Sequence, residues 1–262
     1  MTLTDSAPVR LSVKGLAKSY ETKNGLVPVI ADLTFDVRVG EVCCIVGPSG
    51  IGKTTLLKCL TGPQSITAGS AAIDGIEIDG PPETMALVFQ EYTRSLMPWL
   101  TVEKNVRLPL KHLHLPVEER EERITAALTA VGLAGAEGKF PWQLSGGMQQ
   151  RVAIARAIAY RPEVLVMDEP FASVDAQTRF ELEDLCLRIR EQFGMTIVIV
   201  THDIDEAVYL SDRVVVLGER PAKVTEIIEI DFGGPRDQLT TRALPAFAEL
   251  RTEIFEQIRR AG

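Results

Sequence analysis

The sequence predicts an α/β fold: a mainly parallel β-sheet covered by helices, with an antiparallel β region towards the N-terminus and a helical insert in the middle. Three observations predict it. From Val164 onward, short apolar runs alternate with helical patterns, as strands laid parallel through helical crossovers require. Val42–Val46 is an unbroken apolar run, the pattern of a strand buried on both faces, and a glycine-rich loop and a helix follow it. Between residues 91 and 160 the strand pattern gives way to helical periodicity.

Taken in order, Val9 to Val42 reads as short strands broken by turn signals, with Asn24-Gly25 as a hairpin turn. After the strand Val42–Val46, Gly47 to Gly52 is a loop and Lys53 to Leu60 a helix. Gly69 to Asp79 is hairpin-like around Asp74-Gly75, and Ala86–Phe89 is a further strand. In the insert, Val117 to Val131 carries Ile124, Ala127, Leu128 and Val131 at helical spacing, stopped at Gly132. Met148 to Tyr160 reads as another helix. Then come a strand (Val164–Met167), a helix (Ala176–Phe193), a strand (Thr196–Val200), a helix (Asp203–Ser211) and a strand (Val214–Leu217). A tail from Asp231 ends in a helix over Leu244–Arg260. The expected organisation is one domain: a core lobe of residues 1–90 and 161–230, a helical lobe of 91–160 and a short tail of 231–262. The chain holds no internal repeat and no low-complexity tract.

A length of 262 residues suits one large domain or two lobes sharing a core, and 45% hydrophobic with 24% charged residues is globular composition. The net charge of -8 argues against broad nucleic-acid binding but allows a local basic patch around a phosphate. The opening residues lack an apolar stretch behind a basic one, so no signal peptide is expected. No apolar run approaches bilayer length, so any membrane link is expected to run through a partner. Cys43, Cys44, Cys59 and Cys186 form no C-x-x-C pair and read as buried, reduced thiols. His112 and His114 alternate, but no recognisable ligand pattern surrounds them.

Gly47-Pro48-Ser49-Gly50-Ile51-Gly52-Lys53-Thr54 matches the phosphate-loop pattern G-x-x-x-x-G-K-[ST], with Thr55 next to it. Glycines let backbone N–H groups face a phosphate, and the helix start adds unpaired N–H groups and a positive dipole end. Lys53 supplies a point charge to the outer phosphates, and the Thr54 hydroxyl can ligate Mg2+. Asp168-Glu169 ends an apolar strand, where α/β sheets bind ligands. There Asp168 suits Mg2+, and Glu169 suits a general base on an attacking water. Leu144-Ser-Gly-Gly-Met-Gln-Gln-Arg151 reads as a glycine turn entering a helix, with Ser145 as N-cap and Gly146 and Gly147 behind it, a second anion-binding helix start. His202 follows the buried strand Thr196–Val200 and so faces the same crevice; a neutral imidazole there can donate to a γ-phosphate.

These strings together resemble the ABC (ATP-binding cassette) ATPases. LSGGMQQR resembles that family's signature, GPSGIGKTT its phosphate loop and VLVMDEP its aspartate strand and catalytic glutamate. Phe89-Gln90 resembles the glutamine loop, whose Gln90 would contact Mg2+ and the permease. Ala172–Asp175 resembles the loop across the dimer interface, with Val174 where leucine is commoner. Val200–Asp203 resembles the switch-histidine region, and Tyr20 in Lys18-Ser-Tyr20 the aromatic that stacks on adenine. The resemblance runs from Val9 to about Gly218.

What it implies is a P-loop NTPase core that hydrolyses ATP with Mg2+. Glu169, His202 and Lys53 would be catalytic, Thr54, Gln90 and Asp168 would hold the metal, and Ser145–Gly147 and Asp175 would reach nucleotide on a second copy. The implied partners are that second ATPase subunit, transmembrane permease subunits and a separate solute-binding protein. The implied location is the cytoplasmic face of the membrane, reached through the permease. The stretch Met97–Val102 with Asn105-Val106, and the short tail, resemble the nitrate, sulfonate and taurine importers. Residues Glu91 to Val102, with Leu96, Met97, Pro98 and Trp99, would line the groove for a permease helix, which a cysteine at Arg94 would reach. The alternative is a soluble ABC ATPase of a cofactor-assembly or scaffold complex without transport.

Overall fold

The computed structural model describes residues 7–23, 25–91 and 95–261. Two long strands, β1 (Val9–Thr22) and β2 (Gly25–Arg38), are followed by β3 (Val42–Val46), α1 (Lys53–Leu60), β4 (Ala68–Ile73), β5 (Ile76–Glu77) and β6 (Met85–Val88). The helical stretch holds α2 (Val102–Arg107), α3 (Val117–Ala130) and α4 (Gly146–Ala159). Then come β7 (Val164–Asp168), α5 (Ala176–Phe193), β8 (Thr196–Val200), α6 (Ile204–Leu210), β9 (Arg213–Gly218), β10 (Lys223–Glu229) and α7 (Pro245–Ala261).

The strands form two sheets. One is antiparallel, in the order β2-β1-β4-β5; the other runs β10-β9-β3-β8-β7-β6. In the larger sheet the pairs from β9 to β6 are parallel, and β10 adds an antiparallel edge. Burial on both faces splits the residues of each central strand in turn. Val42, Cys44 and Val46 pack with the helices of one core, while Cys43 and Ile45 pack against α1 and the antiparallel sheet in the other. Ile197 and Ile199 divide from Val198 and Val200 in the same way. All four cysteines are free and buried.

Two features depart from the sequence reading. The N-terminal region is two strands of 14 residues each, not several short ones. Gly15, at φ +59°, sits in a register shift between Val13 and Leu16, so a turn-like glycine is absorbed as a bulge. Of the expected hairpin turn, Asn24 lies outside the described residues and Gly25 opens β2. β10 escaped detection because it is an edge strand with Lys223, Glu226 and Glu229 exposed, so its apolar pattern is thin. Small shifts also occur: α4 begins at Gly146, before the expected Met148, and β6 covers Met85–Val88.

The tail is tied into this body. Glu183 of α5 is fully buried and accepts from Arg242 Nη2 at 2.7 Å and Gln238 Nε2 at 2.8 Å. The Arg242 guanidinium lies over the rings of Phe180, Tyr209 and Phe247, 4.9, 4.9 and 5.6 Å from their centroids. Phe247 and Ile254 bury the inner face of α7.

What positions the site is strand order. β3, β8, β7 and β6 are neighbours, and the segments leaving their C-terminal ends carry the phosphate loop, His202, Asp168-Glu169 and Gln90.

Candidate active site

The phosphate loop folds as its glycines require. Gly50 has φ +74° and Gly52 φ +118°, left-handed conformations that side chains disfavour. A Cβ on Gly47 would meet the Leu217 carbonyl oxygen at 2.6 Å, so this glycine serves a close approach to β9. Gly52 is the N-cap of α1 and offers no side-chain cap. The N–H groups of Lys53, Thr54 and Thr55 donate to no protein acceptor among the described residues. Lys53 is only 7% exposed, and its Nζ donates to the carbonyls of Gly47 at 2.7 Å and Pro48 at 3.2 Å. Burial lowers the Lys53 pKa, while Glu169 and Asp168 oppose that shift. Pro48 is half-buried and Ser49 exposed on the loop, and Ile51 is buried beneath it.

Thr54 and Asp168 border one cleft of roughly 570 Å³. A hydroxyl and a carboxylate are oxygen donors of the kind Mg2+ takes. Burial and then Glu169 hold the Asp168 carboxyl above its ordinary range, against the pull of Lys53 and Lys58. A cation there would favour the charged carboxylate, so these residues fit the ion. Gln90 stands apart from that cleft wall. Its Nε2 donates to Glu169 Oε2 at 2.9 Å, which leaves its amide oxygen without a protein partner among the described residues.

Glu169 is held in a conformation unusual for its type, φ +42°, with its N–H on the Val200 carbonyl at 2.8 Å. That bond ties the end of β7 to the end of β8. Oε2 of Glu169 thus meets two groups, Gln90 Nε2 and, at 3.2 Å, His202 Nδ1. Its Oε1 has no protein partner among the described residues. His202 is 59% exposed by side chain. The predicted Glu169, His202 and Gln90 therefore form one cluster, beside Asp168 and Lys53.

The signature turn lies in a second cluster. Ser145 Oγ accepts from the Met148 N–H at 3.3 Å and caps α4 as expected. A Cβ on Gly147 would meet Thr178 Cγ2 at 2.4 Å. Thr178 is itself locked: its N–H and hydroxyl both donate to Asp175, the N-cap of α5, at 3.0 and 2.7 Å. The hydrogen bonds hold the Asp175 carboxyl below the ordinary range. Ser145, Gly147 and Asp175 are thus neighbours, and no hydrogen bond or ion pair joins them to the phosphate loop among the described residues. Gln150, fully buried in α4, ties the second cluster towards the first by donating to the Pro170 carbonyl at 2.8 Å, just past Glu169. Tyr20 is half-buried on β1, with Lys18 Nζ 5.1 Å from its ring centroid.

Sequence reasoning missed the groups behind His202. Thr201 Oγ1 donates to Glu206 Oε2 at 2.6 Å and accepts from the Asp203 N–H at 3.0 Å. Asp203 caps α6, accepting from the N–H groups of Asp205 and Glu206, and pairs with Arg179 at 2.8 Å. A signal existed: Asp203 and Glu206 have capping-box spacing. The structure diverts Glu206 from the usual N-cap backbone N–H to Thr201.

A family model described as ABC transporter matches residues 30–172. A nitrate import ATP-binding protein of Synechococcus elongatus is 42% identical over 244 residues, 92% of this chain and 88% of that protein. An aliphatic sulfonates import ATP-binding protein of Bacillus thuringiensis is 38% identical over 252 residues, 96% of this chain and 97% of that one. Among solved structures, a dimeric ATP-binding cassette in a post-hydrolysis state with ADP and phosphate superposes with a TM-score of 0.72 at 31% identity, covering 84% of this chain and 99% of that chain. Strand-end chemistry, phosphate loop and signature turn agree with these matches: the chain belongs to the ATP-binding subunits of the ABC transporter family.

Proposed function

We propose that this ATPase energises a membrane importer of a small oxyanion, and that Glu169 is the base of its hydrolytic step. The observation that carries the second part is the convergence of Gln90 and His202 on one oxygen of Glu169, which leaves the other free for water. Nitrate and sulfonates, named for the relatives, share the oxyanion class. The solute itself would be held by other subunits.

In this reading Lys53 and the open N–H groups of α1 bind the outer phosphates, and Tyr20 stacks on adenine. Thr54, Asp168 and the Gln90 oxygen would hold Mg2+, which would supply charge neutralisation at the phosphate oxygens. Glu169 takes the proton of a water whose oxygen bonds the γ-phosphorus as the bond to ADP breaks. His202 orients Glu169 and that water. Ser145, Gly146, Gly147 and Asp175 face outward for nucleotide on a second copy. The permease would dock at the apolar side of the cleft that Thr54 and Asp168 border, where Leu57, Pro63, Pro81, Leu87 and Phe89 line the wall and Phe89 is 53% exposed. Of the stretch Glu91 to Val102, expected to line the permease groove and not part of that cleft, Leu96 is buried, Trp99 is exposed, and Tyr92, Thr93 and Arg94 lie outside the described residues. Such docking would place the subunit at the cytoplasmic side of the membrane.

Glu169→Gln tests the base. Hydrolysis should fall by about 10²-fold or more, while ATP binding persists through Lys53, Thr54 and Asp168. The variant should then elute as a dimer on size exclusion with ATP and as a monomer with ADP. Turnover at the parent rate places the base elsewhere.

A further inference from the structure

We propose that Glu206 is a positioning residue for ATP hydrolysis, acting through Thr201 and Arg179 to fix the turn that carries His202. The proposal rests on the reading of His202 and Glu169 as the hydrolytic pair.

The geometry leads to it in three steps. First, Glu206 is 3% exposed yet belongs to the short helix α6 immediately after His202. Second, its two oxygens are directed at the turn and at α5. Oε2 takes the Thr201 hydroxyl at 2.6 Å, and Oε1 lies 3.6 Å from Arg179 Nε. Thr201 is 1% exposed and anchored by its N–H to the Ile45 carbonyl at 3.2 Å, so the hydroxyl is clamped between β3 and α6. The same hydroxyl accepts the Asp203 N–H, so residues 201 and 203 are both fixed and His202 is the one side chain of the turn left pointing out. Third, a cavity of roughly 50 Å³ is lined by Glu169, Arg179, Thr201, His202, Asp203 and Glu206. Arg179 Nε is buried there without a hydrogen-bond partner. The space and its polar walls suit one bridging water between Arg179 and Glu206.

A purely structural role does not account for a carboxyl at this place. Burial, first, and then Asp203 and Glu183 push the Glu206 carboxyl up to about 7, against Thr201 and Arg179. Its folded pKa exceeds its unfolded one, so the folded state binds this proton more tightly. The contribution of Glu206 to stability therefore declines as pH rises from the ordinary carboxylate range through about 7. An apolar side chain would hold α6 without a buried charge. What Glu206 adds over an apolar residue is a directional acceptor for the Thr201 hydroxyl, and its second oxygen faces Arg179.

The test is steady-state ATPase of the full chain, with kcat and KM separated, in the parent and in a His202→Ala background. Glu206→Ala and Thr201→Val should each lower kcat about tenfold to a hundredfold, as loss of alignment does, with KM for ATP unchanged. Glu206→Gln keeps an acceptor for Thr201 and should recover most of that loss. In the His202→Ala background, neither Glu206→Ala nor Thr201→Val should lower kcat further. Undiminished loss in that background, equal loss for Gln and Ala, or unchanged kcat in both Glu206→Ala and Thr201→Val overturns the proposal. Should His202→Ala itself leave kcat at the parent value, it is the hydrolytic reading of His202 that fails.

Discussion

The two glycine-bearing helix starts, at Gly52 and at Ser145, look alike in sequence and are built differently. α1 begins on a left-handed glycine with no side-chain cap and three open N–H groups, above a lysine that is almost buried. α4 begins on an extended serine whose hydroxyl takes the third N–H, leaving those of Gly146 and Gly147. In the first, glycine is needed for backbone conformations a side chain cannot hold. In the second, Gly147 has an ordinary helical backbone, and glycine is needed because Thr178 of α5 stands where a Cβ would be. The first start is therefore shaped by its own loop, and the second by a neighbouring helix. The contact with Thr178, itself bonded to Asp175, is what sets the signature turn beside Asp175.

Three substitutions sharpen or break this comparison. The largest effect is expected at Lys53→Ala. It removes the charge that the loop folds around, and ATPase turnover should drop by about 10²-fold to 10³-fold, the scale of losing a preorganised electrostatic contact. Turnover at the parent level would remove the first helix start from the phosphate site. Next is Gly147→Ala, which forces the new methyl onto Thr178 Cγ2. The expected loss of stability is about 1–3 kcal/mol, larger than the gain of up to about 1 kcal/mol from helix propensity. Adding Thr178→Ser deletes the offending methyl but keeps the hydroxyl for Asp175, so the thermal midpoint should return towards the parent value. An unrescued double variant would mean that Gly147 is needed for something other than this contact. The smallest effect belongs to Ser145→Ala, which loses only the cap, worth about 1 kcal/mol by chemical denaturation. A drop well beyond that would show that the hydroxyl does more than satisfy Met148.

Much of this was legible in the sequence because it depends on short segments. The loop at Gly47–Thr54, the strand ends at Asp168 and Val200 and the cap at Ser145 are each written in a few consecutive residues with one physical reason. The alternate packing of Val42–Val46 follows from an apolar run alone. What stayed hidden depends on strand pairing or on polar contacts that only the folded chain brings together. Gly15 reads as a turn until β2 pairs across it, and β10 shows little apolar pattern because one edge faces solvent. The Glu206–Thr201 bond and the Gln150–Pro170 tie are polar contacts inside the core, where hydrophobic periodicity carries no signal. Nor could the sequence separate Gln90 as a metal ligand from Gln90 as a donor to Glu169; the side chain offers both ends, and only the fold chooses which faces the carboxylate.

The Arg242 guanidinium, set among three rings and bonded to a carboxylate with no exposure, has a consequence for how the molecule comes apart. Peeling the tail away would strand Glu183 as an uncompensated charge inside the body and uncover the faces of Phe180 and Tyr209. The tail is thereby coupled to the sheet, and the two are expected to melt in one transition.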